Sequence, residues 1–192
     1  MKALLRENRI DDTLKIAIFG ALAPRKNQLE AVETANLLKK KGITNFEIDF
    51  YGDAAANLSY VRQIKEKMAH HKLEKHVQIK GFSHSVYEAM NDYNVVLSTS
   101  TYEPFGRTIV EGQLFGRVTI ANNTGGGPEL IKDEHTGLVY ELGKPEDLAR
   151  KIEWILRNPA KALELGATAK TVQTKKFLND SRHDALIETA IS

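Results

Sequence analysis

The chain contains no cysteine, which excludes disulfides, thiolate nucleophiles and zinc–thiolate sites from the outset. No apolar run approaches the roughly 18 residues of a membrane-spanning helix, and no signal-peptide pattern opens the sequence. A cytoplasmic protein is the expectation. Neither sign of charge dominates: 27 Lys and Arg against 25 Asp and Glu leave a formal +2. Bulk electrostatics therefore argue for neither a nucleic-acid partner nor an acidic membrane surface. The six histidines show no metal-ligand spacing, and no metal is expected. Internal repeats and low-complexity segments are also lacking.

What is present suits one globular domain. A 192-residue chain with 42% hydrophobic residues can bury one substantial core. Residues 1–13 are mixed and polar and read as a lead-in or linker. From residue 14 onward, short apolar runs alternate with segments of helical period. Strands are expected at 14–19, 46–50, 77–79, 95–97, 118–121 and 137–140. The second of them, Phe46-Glu-Ile-Asp-Phe50, alternates apolar and polar residues, so one of its faces is expected to be less buried. A helix is expected from about Pro24 to Lys41, and others carry the stripes Leu58-Val61-Ile64-Met68, Val86-Tyr87-Met90 and Leu148-Ile152-Ile155. Asn158-Pro159 breaks the last of these, and a further helix runs to about Phe177. The expected architecture is α/β: a single doubly wound, Rossmann-like domain over 14–179 with a mainly parallel sheet, and a C-terminal tail at 180–192.

In such a fold ligands bind at the carboxyl ends of the strands. Three stretches there carry chemistry. Gly20-Ala-Leu-Ala-Pro-Arg-Lys-Asn27 lacks the glycine at 25 and the Ser or Thr at 27 that a Walker A loop requires, and it is not a Gly-x-Gly-x-x-Gly fingerprint. It leaves Arg25 and Lys26 at an expected helix N-terminus, where an anion is favoured and cations are not, unless they meet a bound negative group. The bland alternative is a solvated pair of cations. Glu103 and Glu111 flank a Pro-Phe-Gly turn, the first in a loop and the second about one turn into a helix ending at Gly116. Two carboxylates facing one cleft can grip sugar or ribose hydroxyls, or act as acid and base. The bland alternative is an Arg107–Glu111 surface pair contributing about 0.2–0.5 kcal/mol. Gly125-Gly-Gly-Pro-Glu129 is a glycine turn of low specificity.

Glu103-Pro-Phe-Gly-Arg-Thr-Ile-Val-Glu111 resembles the Glu-x7-Glu motif of retaining glycosyltransferases of GT-B architecture, specifically the group 1 transferases (family 4). The loop from Gly20 to Gln28, Val77 to Gly81, Val95 to Ser100, Val118 to Glu129 and Thr136 to Val139 follow the same family's pattern in order. The likeness covers about residues 14–157 and corresponds to the C-terminal, nucleotide-sugar half of such enzymes. It implies that Lys26 holds the donor diphosphate, Glu111 the ribose hydroxyls and Glu103 the donor sugar. Lys26 and Glu103 are then the residues of catalytic consequence. Gly20, Arg25, Phe105, Gly106, Arg107 and Thr108 line the sugar and phosphate site, and Lys80 and Gly81 border the nucleobase. Two positions depart from the family pattern. Ala21 stands where arginine is common, which weakens the phosphate clamp unless Arg25 reaches in, and Arg107 stands where a small or apolar residue is usual, where it either compensates for Ala21 or sets sugar preference.

The resemblance further implies a nucleotide diphosphate sugar as substrate, no separate cofactor, and transfer of a hexosyl group to a glycan or lipid-linked acceptor, as in polysaccharide biosynthesis. The acceptor half would be an N-terminal GT-B domain, in the same natural chain or separate, so the isolated domain binds donor but turns over weakly or not at all. Peripheral attachment to the inner face of the membrane stays open for the full-length enzyme. Two alternatives also stay open: a non-catalytic nucleotide-sugar-binding module, and part of a GT-B epimerase or phosphorylase.

Overall fold

The computed structural model describes residues 6–178. Strand and helix alternate along it as β1 (Leu14–Phe19), α1 (Gln28–Lys40), β2 (Phe46–Tyr51), α2 (Leu58–His70), β3 (Val77–Gly81), α3 (Val86–Met90) and β4 (Val95–Ser98). There follow α4 (Arg107–Leu114), β5 (Val118–Asn122), α5 (Gly127–Leu130), β6 (Leu138–Tyr140), α6 (Pro145–Arg157) and α7 (Pro159–Leu178). The six strands lie in the order β3-β2-β1-β4-β5-β6, and every neighbouring pair is parallel. This is the Rossmann-like arrangement expected. Chain order reverses between β1 and β4, which makes the carboxyl ends of those strands the natural crevice.

Side-chain alternation in β1 divides the core. Ile16 and Ile18 point into one apolar layer with Val32, Leu38, Ile64 and Ile152, while Ala17 and Phe19 point into another with Met90, Val96, Leu114 and Phe115. Each face of the sheet is thus covered by helices, as a parallel sheet requires.

Three local features differ from the sequence reading. The helix expected from Pro24 to Lys41 is split: Pro24–Lys26 form one 3-10 turn, Asn27 adopts a left-handed conformation (φ 50°, ψ 41°), and α1 begins at Gln28. Asn tolerates that conformation better than other residues with a side chain. Arg25 and Lys26 therefore precede the long helix instead of opening it. In β2 the face with the polar residues is the less buried one, as expected, with Glu47 and Tyr51 partly exposed against fully buried Phe46, Ile48 and Phe50, but its central Asp49 is enclosed. Asp49 is buried, accepts a hydrogen bond from Tyr93 Oη at 2.6 Å, and lies 3.3 Å from Lys80 Nζ. Burial, then that bond, hold the Tyr93 hydroxyl well above the ordinary tyrosine pKa.

The third concerns the stretch read as lead-in. Residues 6–13 are tied to the amino-terminal edge of the sheet. Asn8 Nδ2 donates to the Asn94 carbonyl at 3.0 Å, Asn94 Nδ2 to Asn8 Oδ1 at 3.1 Å, and Arg6 N–H to Asn91 Oδ1 at 3.1 Å. Beneath them Arg117 is buried, with its guanidinium donating to the carbonyls of Phe115 (3.0 Å), Tyr93 (3.2 Å) and Arg6. Burial lowers its pKa to about 10. Arg117→Ala strands those acceptors away from water and is expected to cost about 2–4 kcal/mol of stability. Urea denaturation measures this, and an unchanged midpoint would show that the guanidinium is dispensable. The tail at 180–192, with residues 1–5 and 179, lies outside the described residues.

Candidate functional site

The loops that leave the carboxyl ends of the strands are locked together by backbone hydrogen bonds. Gly20 N–H donates to the Tyr51 carbonyl at 2.8 Å and Gly52 N–H to the Gly81 carbonyl at 2.9 Å. At Gly52 any side chain is excluded, because a Cβ there would stand 1.9 Å from the Gly20 carbonyl oxygen. Above this frame opens one cleft with two lobes, of about 560 and 760 Å³. Phe19, Gly20, Ala21, Arg107, Thr108 and Glu111 line both, so the lobes communicate across Gly20 on one side and the start of α4 on the other. Each is in the size range of a small-molecule site.

The larger lobe holds Arg25, Lys26, Glu103, Pro104 and Phe105. Lys26 and Glu103 are 77 residues apart in sequence, yet Lys26 Nζ donates to Glu103 Oε2 at 2.5 Å. Both side chains are mostly buried. Ser100 Oγ donates to the same oxygen at 3.1 Å. The lysine stem lies across Gly20, where a Cβ would be 3.3 Å from Lys26 Cε. The two loops that carry the pair are stitched by Thr99 Oγ1 to the Lys26 carbonyl (2.7 Å) and Thr101 N–H to the Arg25 carbonyl (2.9 Å).

Glu111 stands at the junction of the lobes. It is 6% exposed, so it is not half of a surface ion pair, although Arg107 Nε lies 3.5 Å from its Oε1. Tyr87 Oη donates to the same oxygen at 3.4 Å. Burial raises the Glu111 pKa against the opposing pulls of Arg107 and Tyr87. The folded chain therefore keeps this proton to a higher pH than the unfolded chain does. Stability falls as pH climbs from the ordinary carboxylate value through the raised one. Glu111→Gln removes that dependence, so its melting temperature relative to wild type is expected to rise between pH 5 and pH 8. A relative melting temperature that falls over that range would contradict the burial argument.

With this geometry in place, comparison with known proteins is decisive at the level of family. The model of the family described as "Glycosyl transferases group 1" matches residues 2–172. The chain belongs to the group 1 glycosyl transferases. It is 28% identical over 165 residues to the poly(ribitol-phosphate) alpha-N-acetylglucosaminyltransferase of Staphylococcus aureus, covering 85% of this chain and 32% of that one. Among solved structures it is similar to Anabaena Alr3699/HepE in complex with UDP and glucose, with a TM-score of 0.80, 25% identity, and coverage of 85% of this chain and 44% of that one. The C-terminal domain of a group 1 glycosyl transferase, LpcC from Francisella tularensis, shares the fold at a TM-score of 0.77 and 22% identity, over 85% of this chain and 86% of that one. The chain thus spans about a third of the Staphylococcus relative and under half of the Anabaena one.

Gly20, Arg25, Lys26, Glu103, Phe105, Arg107, Thr108 and Glu111 line the cleft. Gly106 does not; it caps α4 with φ 56°, and a Cβ there would stand 2.1 Å from Leu130 Cδ1. Its contribution is to let the chain turn into the helix. Lys80 and Gly81 also lie off the cleft. Lys80 Nζ is engaged by Gln78 Oε1 at 2.7 Å and Asp49, and Gly81 is the last residue of β3.

The smaller lobe is instead lined by Tyr51, Asp53 and the segment Phe82–Tyr87. Tyr51 stacks on Phe19 with centroids 5.1 Å apart, and Phe82 meets His84 edge-on at 5.1 Å. Phe82 is 68% exposed and Phe105 86%, both at the rim of the cleft. The signal that could have found this lobe was an aromatic at or just past a strand end: Tyr51 closes β2 and Phe82 follows β3. Among the described residues no helix is long and apolar enough to cross a membrane.

Proposed function

We propose that this chain is the donor-binding domain of a retaining glycosyltransferase that moves a hexosyl group from a nucleotide diphosphate sugar to a glycan or lipid-linked acceptor. The observation that carries this reading is the order of groups along one cleft. A cation and an acid, Lys26 and Glu103, occupy the larger lobe; a buried acid, Glu111, marks the junction; and an aromatic-lined lobe lies beyond it. A sugar nucleotide has the same order: sugar, diphosphate, ribose and base. The UDP and glucose in the Anabaena relative's complex support the same ligand class.

In this reading Lys26, with Arg25 and Arg107 at the lobe's edge, meets the diphosphate. N–H groups at the start of α4 add electrostatic support as charge develops on the departing diphosphate. Glu103 accepts hydrogen bonds from sugar hydroxyls, and Glu111 accepts them from the ribose, where two hydroxyls can meet one carboxylate. The base rests among Tyr51, Phe82 and His84. Acceptor binding is assigned to an N-terminal GT-B domain, a reading supported by a chain that spans about a third of the Staphylococcus relative and under half of the Anabaena one. The isolated chain is therefore expected to bind donor and to turn it over weakly or not at all. Calorimetric titration with UDP-, GDP- and ADP-sugars tests this. Saturable binding of at least one is expected, and a folded sample that binds none of them contradicts the reading.

A further inference from the structure

The cation assigned to the diphosphate already carries an anion. Lys26 Nζ and Glu103 Oε2 are 2.5 Å apart, and both side chains are mostly shielded from solvent, so water screens their attraction weakly. A diphosphate can engage the whole charge of Lys26 only by displacing that carboxylate. We propose that Glu103 is an internal competitor for the diphosphate, released from Lys26 when sugar hydroxyls take its place, so that the site favours a sugar nucleotide over its nucleoside diphosphate product. The inference rests on the reading that Lys26 takes the diphosphate.

The backbone geometry confines the exchange to a side-chain rotation. The carbonyls of Arg25 and Lys26 are held by Thr101 and Thr99. On the other side, the Glu103 carbonyl accepts the Gly126 N–H at 2.7 Å, and Asn122 Nδ2 holds the Ser100 carbonyl at 2.7 Å. Gly125 packs so closely that a Cβ there would stand 2.7 Å from the Glu103 nitrogen. Neither loop can carry its residue away. The lysine stem is also laid along Gly20, whereas among the described residues the Glu103 carboxylate is held at one oxygen, by Lys26 and Ser100 together. Glu103 is therefore the member that turns.

The energetic consequence follows by linkage. A nucleoside diphosphate breaks the pair and leaves a largely buried carboxylate with only Ser100 as donor. A sugar nucleotide breaks the same pair and supplies hydroxyl donors in exchange. After transfer the sugar is gone, the pair re-forms, and the product is pushed toward release.

A double-mutant cycle on the 192-residue chain tests the proposal. Wild type, Glu103→Gln, Lys26→Met and the double variant are titrated with UDP, GDP and ADP and with UDP-glucose, GDP-mannose and ADP-glucose, by calorimetry or, for weak binding, by NMR. Gln keeps the shape of Glu and can still accept from Ser100. Glu103→Gln is expected to tighten the nucleoside diphosphate about three- to tenfold, an amount in keeping with the removal of one ion pair. It is also expected to shrink the preference for the sugar form. In the Lys26→Met background the same change should do almost nothing. No tightening, or equal tightening with and without Lys26, overturns the proposal; the latter would mean simple repulsion between Glu103 and the ligand. If Lys26→Met binds nucleoside diphosphates as well as wild type, the diphosphate assignment itself falls, whatever Glu103 does.

Discussion

Lys26→Met is expected to weaken nucleoside diphosphate binding by about 100-fold, or roughly 2.7 kcal/mol. The size follows from what the position offers. Lys26 projects into the larger lobe with its stem braced on Gly20, and its ammonium is mostly shielded, so a hydrogen bond to a phosphate oxygen there is charge-assisted and little diluted by solvent. The substitution has a second effect, because Glu103 is left without its cation in a largely buried position. The single variant should lose stability as well as affinity. Adding Glu103→Gln should restore the stability while leaving the diphosphate weakly bound. Thermal melts run beside the titrations separate the two effects. Full affinity in a Lys26→Met protein would remove the diphosphate from this lobe.

Glu111→Ala is expected to produce a selective loss. Nucleoside diphosphates should weaken by about 10- to 100-fold, the scale of one or two hydrogen bonds to a charged acceptor, while inorganic pyrophosphate should bind as to wild type. Glu111 stands between the lobes, within reach of both, and among the described residues its side chain is partnered by Tyr87 and Arg107, at 3.4 and 3.5 Å. Those contacts are long, so the carboxylate can still accept from a ribose. Its burial raises its pKa and makes the empty site less stable than a glutamine would leave it. A residue that costs stability and is oriented toward a cleft is better explained by a ligand than by the fold. Equal losses for pyrophosphate and nucleotide would argue against a ribose contact.

Much of this molecule can be read from local sequence. The strands announce themselves as apolar runs, and the helices by stripes such as Leu148-Ile152-Ile155, because burial on both faces of a parallel sheet leaves few other patterns. The Glu103–Glu111 spacing places both acids on one cleft since a turn and a helix N-terminus lie between them. What stayed hidden depends on partners distant in the chain. The break at Asn27 rests on one residue entering a left-handed conformation that its neighbours do not advertise. The burial of Asp49 needs Tyr93, 44 residues away, and the burial of Arg117 needs carbonyls from three separate segments. The Lys26–Glu103 pair spans 77 residues. The family resemblance sets Lys80 and Gly81 beside the base, whereas β3 ends only at Gly81 and it is Phe82 to Tyr87, just after it, that line the smaller lobe.

The proposed order along the cleft is sugar at Glu103, diphosphate at Lys26, ribose at Glu111 and base beside Tyr51 and Phe82. A crystal structure of the chain with the sugar nucleotide that binds it most tightly tests that order directly. The expected result is a phosphate oxygen within about 3 Å of Lys26 Nζ and a ribose hydroxyl within about 3 Å of a Glu111 carboxylate oxygen. Glu103 should have turned from Lys26 to the sugar. A donor bound in the reverse direction, or one held away from Lys26 altogether, would contradict the account.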